Sequence, residues 1–350
     1  MTLTVPALAA PTPGAKFERT TVERRDLGPH DVLIDIAFAG ICHSDIHQAR
    51  EEWGKGIFPM VPGHEIAGTV AAVGDDVTRH SVDDRVGVGC FVDSCRECEA
   101  CLAGEEQFCA KGAVMTYNGR QYSGEETYGG YSTQVVVDER YVLRIPEGIT
   151  LDVAAPLLCA GITTYSPLRH WGAGPGKKVA VVGMGGLGHM AVKIAHAMGA
   201  EVTVLSHSLS KKADGERFGA DHYVATSEEG ALKGLRTSFD LIISTVGADL
   251  PIDQYLATLR LDGAMVFVGL PPTPQSFRVG SLVGGRRSLA GSNIGGIRET
   301  QEMLDFCAEH HLGAEIELVR ADDVDRAYER VVASDVRYRF VIDTATIPAD

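Results

Sequence analysis

The chain has 350 residues, enough for two domains with separate cores, and its 45% apolar and 23% charged residues are the balance of a soluble globular protein. A net charge of −15, with acidic residues spread along the chain, excludes a nucleic-acid-binding surface, which needs a clustered basic face. No apolar run is long enough to span a bilayer and Met1 leads into no charged-then-apolar signal segment, so no membrane partner and a reducing, cytoplasmic setting are expected.

From the N-terminus to about Pro156, short β-like runs separated by Gly, Pro and Asp predict a partly open β-barrel. One predicted strand, Val32–Phe38, leads into Cys42-His43-Ser44-Asp45-Ile46-His47, and another, Ile66–Gly74, follows Pro62-Gly63-His64-Glu65. Taken singly, Cys42 and His64 read as core residues. With Cys159, in Cys159-Ala160-Gly161-Ile162-Thr163, they become three candidate metal ligands. Between them lie Cys95, Cys98, Cys101 and Cys109, at a C-x2-C-x2-C-x7-C spacing that suits one tetrahedral ion. A closed shell of four sulfurs leaves no open position, so this knot should hold a lobe in place and perform no chemistry. Two disulfides are the alternative; a reducing compartment favours metal.

From Gly161 to about Ser292, strands and helices alternate, predicting a doubly wound parallel sheet. Lys178–Val182 reads as a buried strand and His189–Met198 as a helix. The turn between them, Gly183-Met184-Gly185-Gly186-Leu187-Gly188, completes the dinucleotide fingerprint. Gly183 permits the tight turn, Gly185 a close approach of backbone to pyrophosphate, and Gly188 the packing of helix on strand. Gly186 and Leu187 lie where the helix N-terminus offers free N–H groups to phosphate. The next strand, Glu201–Leu205, ends in Ser206-His207-Ser208-Leu209-Ser210-Lys211, where NAD-binding chains carry a carboxylate. A carboxylate repels a 2′-phosphate, whereas hydroxyls and an ammonium donate to it, so NADP is expected, with Ser206, His207, Ser208 and Lys211 as contacts. The alternative is that these residues only cap a helix beginning near Ser210.

Further strands are expected at Tyr223–Ala225, Asp240–Thr245 and Ala264–Val268, with Ser288–Gly291 as an edge strand. Beyond Ile294 the chain should return to the first domain, through a helix over Glu299–His310 and a last strand over Tyr338–Asp343. The expected domains are thus 1–156, 157–292 and 293–350, the first and third forming one catalytic unit.

These motifs together resemble the zinc-dependent medium-chain alcohol dehydrogenases, from about Val32 to the C-terminus. Phe58-Pro59-Met60-Val61-Pro62, Met115-Thr116-Tyr117-Asn118-Gly119 and Tyr128-Gly129-Gly130-Tyr131-Ser132 make the chain most similar to the NADP-dependent cinnamyl-alcohol dehydrogenase-like branch. The resemblance implies a GroES-like barrel beside a Rossmann domain, with the cofactor in the cleft between them. It implies two zinc ions per chain, a catalytic one on Cys42, His64 and Cys159 and a structural one on the four-cysteine knot. It implies Ser44 and His47 as a proton relay, Asp45 as the carboxylate that orients His64, and Glu65 as a carboxylate beside the metal. His43 matches a position facing the pyrophosphate and Thr163 one packed on the nicotinamide.

Trp53, Phe91 and Tyr117 are candidates for an apolar substrate wall. The implied reaction is reversible hydride transfer between NADP(H) and a primary alcohol or aldehyde, aromatic or medium-chain aliphatic, running toward aldehyde reduction in the cell. A homodimer, paired through the Ser288–Gly291 edge, follows from the same resemblance. Three alternatives carry less support. A metal-free quinone or enoyl reductase has no use for the three ligands, a polyol dehydrogenase tends to place a carboxylate where Cys159 stands, and a non-catalytic nucleotide-binding protein has no use for Ser44 and His47.

Overall fold

The computed structural model describes residues 3–348, and the chain divides into two compact units, Met1–Cys159 with Gly295–Asp350, and Ala160–Ile294.

In the first unit, the described residues form a seven-stranded sheet built around the long strand Asp31–Ile41. Val32, Ile34 and Ile36 alternate inward along it and are buried, the period-2 pattern of a half-covered strand. It pairs antiparallel with Ile66–Val73, with Gln134–Asp138 and with the returning strand Arg339–Asp343. Register shifts at Leu33/Ile34 and Ile36/Phe38 interrupt the first of these ladders. Bulges of this kind bend a strand and raise its twist, which lets the sheet curl into an open barrel. The return strand matters most for the site, because the pairing Phe340↔Ile41 carries Arg339 to the end of the strand that Cys42 follows. Tyr131, Phe340, Ile41, Ile46 and Met60 fill the core beneath.

In the second unit, six strands run parallel in the order His222–Ala225, Glu201–Ser206, Lys178–Val182, Phe239–Ser244, Leu259–Phe267, Ser288–Gly291. Numbered along the chain this is 3-2-1-4-5-6, the doubly wound order that reverses direction beside its first strand. Val179, Ala180 and Val181 are fully buried, as expected for a strand covered on both faces. The helix after the glycine turn is Gly188–Ala197.

Several expected bounds shift by a few residues. The fifth strand begins at Leu259 instead of Ala264, the helix expected over Glu299–His310 is Ile297–Glu309, and a further helix, Val324–Val332, follows it before the last strand. The helix expected near Ser210 is Lys212–Arg217, and its N-cap, Lys211, makes no side-chain cap bond. Ser208 and Ser210 instead bond each other, Oγ to Oγ at 3.0 Å, so the capping alternative for this turn is corrected. No helix among the described residues is long and apolar enough to cross a membrane.

Candidate active site and metal centres

Cys42 sits at the junction of the central strand with the helix His43–Ala49, as its N-cap. Asp45, three residues on, turns back so that its carboxylate accepts the Cys42 backbone N–H at 2.8 Å, half of a capping box. The same fully buried carboxylate accepts the Gly63 N–H at 3.2 Å and faces His64 Nδ1 at 3.1 Å. One acid therefore fixes the backbone before His64 and the ring itself. A proton on Nδ1 donates to Asp45 and leaves Nε2 free to bind an ion.

Cys42, His64, Glu65 and Cys159 each bring one donor atom within 4.8 Å of all the others, and all four are buried. The Cys42 and Cys159 sulfurs are 4.0 Å apart and both cysteines are free. Two sulfurs on one tetrahedral zinc, each bound at about 2.3 Å, would be separated by about 3.8 Å. Two thiols, an imidazole and room for a fourth ligand are the donor set of a catalytic zinc, so these residues fit that ion. The Cys42 thiol is held well below its usual range, first by its hydrogen bond with Cys159; burial opposes this, and the charges of Arg339 and His64 add to it. Its bond with Cys42 and burial push the Cys159 thiol up in turn.

Glu65 is fully buried, with one carboxylate oxygen in an ion pair with the Arg339 guanidinium and the other, Oε2, unpaired. Burial pushes its carboxyl up to about 7 against the lowering pull of Arg339. Room for it depends on Gly40, where a Cβ would stand 1.9 Å from Glu65 Oε2. Arg339 escaped the sequence reading. Its one signal is a cation inside the otherwise apolar run Tyr338–Ile342.

The residues of the expected relay lie on the first helix. Ser44 Oγ is 3.6 Å from Cys42 Sγ, and His47 is half-buried, paired through Nδ1 with Glu52 and stacked on Trp53 at 4.7 Å. Glu52 is a second partner that sequence reasoning missed. The His43 ring lies 5.4 Å from that of His47. Burial lowers the His43 pKa, which opposes the imidazolium that a pyrophosphate contact there would favour.

The three residues expected to form an apolar wall each have a different aromatic neighbour. Trp53 lies against His47 and is 45% exposed. Tyr117 is buried and stacked on the His64 ring at 5.8 Å, and Phe91 is buried edge-to-face against Tyr141 at 6.1 Å.

The four cysteines of the knot converge as their spacing predicts. Cys95, Cys98, Cys101 and Cys109 place their sulfurs within 4.8 Å of one another and all are free, so the disulfide alternative does not hold. Backbone N–H groups of Cys95, Cys98 and Ala110 point at the sulfurs of Cys109, Cys95 and Cys98, at 3.3, 3.4 and 3.4 Å. Donors aimed at sulfur stabilise thiolates, the form a metal needs. The Cys98 thiol is accordingly lowered to about 6, first by the Ala110 N–H. This donor set fits a closed structural zinc site.

In the second unit, Gly183 has φ +94°, and a Cβ on Gly188 would stand 2.2 Å from the Gly183 carbonyl oxygen, so the turn admits only glycine at both places. Above Gly185 there is open space, a cradle where backbone N–H groups can approach a pyrophosphate. Lys211 Nζ reaches back 3.0 Å to the Met184 carbonyl, which sets an ammonium beside this turn. Ser206 ends the second strand, and His207 and Ser208 are exposed next to it. Thr163 is buried with a hydroxyl oxygen that no protein group satisfies. These features fit a dinucleotide carrying a 2′-phosphate.

The fold and both donor sets define a zinc-binding dehydrogenase of two units. Residues 28–147 match the family "Alcohol dehydrogenase GroES-like domain" and residues 186–309 match "Zinc-binding dehydrogenase". The chain is 64% identical to the probable formaldehyde dehydrogenase AdhA of Bacillus subtilis, over 95% of each chain. It is 61% identical to the NADP-dependent alcohol dehydrogenase C 1 of Mycolicibacterium smegmatis, over 98% of this chain and 99% of that one. Among solved structures it is similar to the cinnamyl alcohol dehydrogenase of Helicobacter pylori complexed with NADP(H), at 44% identity, 99% coverage of both chains and a TM-score of 0.93. The chain belongs to the zinc-dependent medium-chain alcohol dehydrogenase family, in its cinnamyl-alcohol dehydrogenase-like branch.

Proposed function

We propose that this protein is an NADP-dependent, zinc-dependent alcohol dehydrogenase that interconverts primary alcohols and aldehydes and acts in the cell as an aldehyde reductase. The observation that carries the reading is the buried carboxylate of Asp45, which braces Cys42 and His64 together while Cys159 arrives 4.0 Å from Cys42. A zinc ion held by Cys42, His64 and Cys159 supplies Lewis acidity toward a substrate oxygen.

The chain's own residues do the rest. Asp45 keeps His64 in the tautomer that presents Nε2. Ser44, beside Cys42, exchanges a proton with the substrate hydroxyl. His47 passes it to solvent, its ring held in place by the Glu52 carboxylate at Nδ1. Glu65, with one oxygen unspent, is a spare carboxylate for ligand exchange, and Arg339 holds it in reserve. The glycine turn binds pyrophosphate through backbone N–H groups, and Ser206, Ser208 and Lys211 select the 2′-phosphate. Trp53 and Tyr117 lie close enough to His47 and His64 to shape an apolar substrate.

Two zinc ions per chain follow from the two converging donor sets. Eight free cysteines suit a reducing, cytoplasmic setting. The open edge strand Ser288–Gly291, with Leu289 and Ala290 half-buried, supports a homodimer that pairs there. The test is aldehyde reduction across an aromatic and aliphatic panel, with NADPH and NADH in parallel, before and after stripping with a strong chelator. The expected result is NADPH preference, with activity lost on stripping and restored by zinc. Activity surviving complete metal removal contradicts the mechanism, and NADH preference contradicts only the cofactor assignment.

A further inference from the structure

A cavity of about 650 Å³ opens within the first unit, beside the four-cysteine lobe, and no residue of the Cys42 centre lines it. Its wall carries Arg79, Arg96, Arg140, Arg144 and Arg298, against one lining carboxylate, Glu106. In a chain of net charge −15, five guanidinium groups on one concavity gather the sign opposite to that of the molecule as a whole.

The partners of these charges decide which are available. Arg96 is paired with Asp93 at 2.7 Å and Asp138 at 3.1 Å, and Arg140 lies 3.9 Å from Asp138. Glu106 accepts the Ile297 N–H at 3.1 Å. Glu139, which feels the charge of Arg79, is buried and spends one oxygen on the N–H groups of Thr78 and Arg79. Arg298 donates to the Ala103 carbonyl at 2.9 Å, and the Arg144 backbone, not its side chain, bonds Gln301. Among the described residues no carboxylate lies at ion-pair distance from the guanidinium of Arg79, Arg144 or Arg298. His80, on the same wall and 7% exposed, adds a ring Nδ1 that no protein group satisfies.

We propose that this cavity binds a small phosphorylated molecule, held by Arg79, Arg144 and Arg298. Its volume falls in the range of about 300–1,000 Å³ typical of small-molecule sites. Guanidinium forks match phosphate oxygens two at a time, which an aldehyde or alcohol cannot exploit. The site is tied to the metal lobe. Cys101 lines the cavity, its sulfur lies 3.2 Å from the Ser94 hydroxyl, and Arg298, in the first turn of the helix Ile297–Glu309, lays its side chain against the lobe at Ala103 and Gly104. An occupant therefore braces the four-cysteine lobe against the helix Ile297–Glu309.

The test is calorimetric titration of the zinc-loaded protein, saturated with NADP so that the cofactor phosphate site is filled, with inorganic phosphate and with fructose 1,6-bisphosphate as probes. The expected result is binding that weakens as salt rises, is tighter for the bisphosphate, and drops about tenfold or more in Arg144→Gln and in Arg298→Gln. Aldehyde reduction and zinc content stay unchanged in Arg144→Gln, which shows that the variant is folded. The bisphosphate also slows zinc loss from the cysteine lobe in the parent protein. Absence of binding by either probe, or binding undiminished in both variants, overturns the proposal.

Discussion

Asp45 is the residue on which the centre turns, because one carboxylate serves the Cys42 backbone, the Gly63 backbone and the His64 ring at once. Asp45→Asn keeps its shape but presents an amide that cannot offer two charged acceptors. Loss of such an outer-shell partner lowers metal affinity by about 10–100-fold, so competition with a graded chelator should extract zinc from this variant at correspondingly lower chelator concentration. Unchanged zinc retention would show that Cys42 and His64 need no brace. Arg339 is different, since it compensates a buried charge and touches none of the three proposed ligands through a hydrogen bond in the structure. Arg339→Met leaves Glu65 buried without its cation, which should cost roughly 3 kcal/mol in urea unfolding, while Glu65→Gln with Arg339→Met recovers part of that loss. The sign with pH follows from Glu65. Burial already raises its carboxyl to about 7, and removing Arg339 raises it further. A raised carboxyl binds its proton more tightly folded than unfolded, so its stabilising contribution is present at low pH and fades as pH rises through the folded value. Arg339→Met is therefore expected to be more destabilised at pH 8 than at pH 6, and a flat difference would contradict this reading.

At the scale of elements, the two units differ in how much of them the sequence announces. The glycine turn is legible because each glycine answers a local demand: Gly183 a positive φ, Gly188 a contact with the Gly183 carbonyl, Gly185 a cradle for backbone. Gly188→Ala places a methyl 2.2 Å from that oxygen and forces helix and strand apart. The expected outcome is dinucleotide binding weakened by about tenfold or more, read by fluorescence titration, with zinc content intact. Wild-type affinity in this variant would mean that the turn tolerates separation from its helix. The four-cysteine knot is legible for a similar reason, since its ligands lie within one short segment and spacing alone constrains them. The Glu65–Arg339 pair is not, because its members are 274 positions apart and only the sheet register Phe340↔Ile41 brings them together. Glu52 and the stacking of Trp53 on His47 were hidden differently. They depend on how the chain leaves the helix after Ala49, which no periodicity encodes. The turn Ser206–Lys211 misled in one respect: serines before a helix suggest a cap, but Ser208 and Ser210 bond each other and the helix starts later.

On the scale of the whole molecule, the chain assembles one of its two candidate metal-ligand sets locally and the other from afar. The four-cysteine set comes from one segment of 15 residues, whereas Cys42, His64 and Cys159 are gathered by a sheet whose central strand carries the first and whose neighbour follows the second. The two sets should therefore be separable. Zinc content and NADPH-dependent aldehyde reduction, measured on the same preparations of the parent protein, Cys42→Ala and Cys98→Ser, test this most directly. The account predicts two ions per chain in the parent and one in each variant, with Cys42→Ala folded but inactive and Cys98→Ser losing stability through its lobe. A Cys42→Ala protein that still holds two ions, or that still reduces aldehydes at the parent rate, would contradict it.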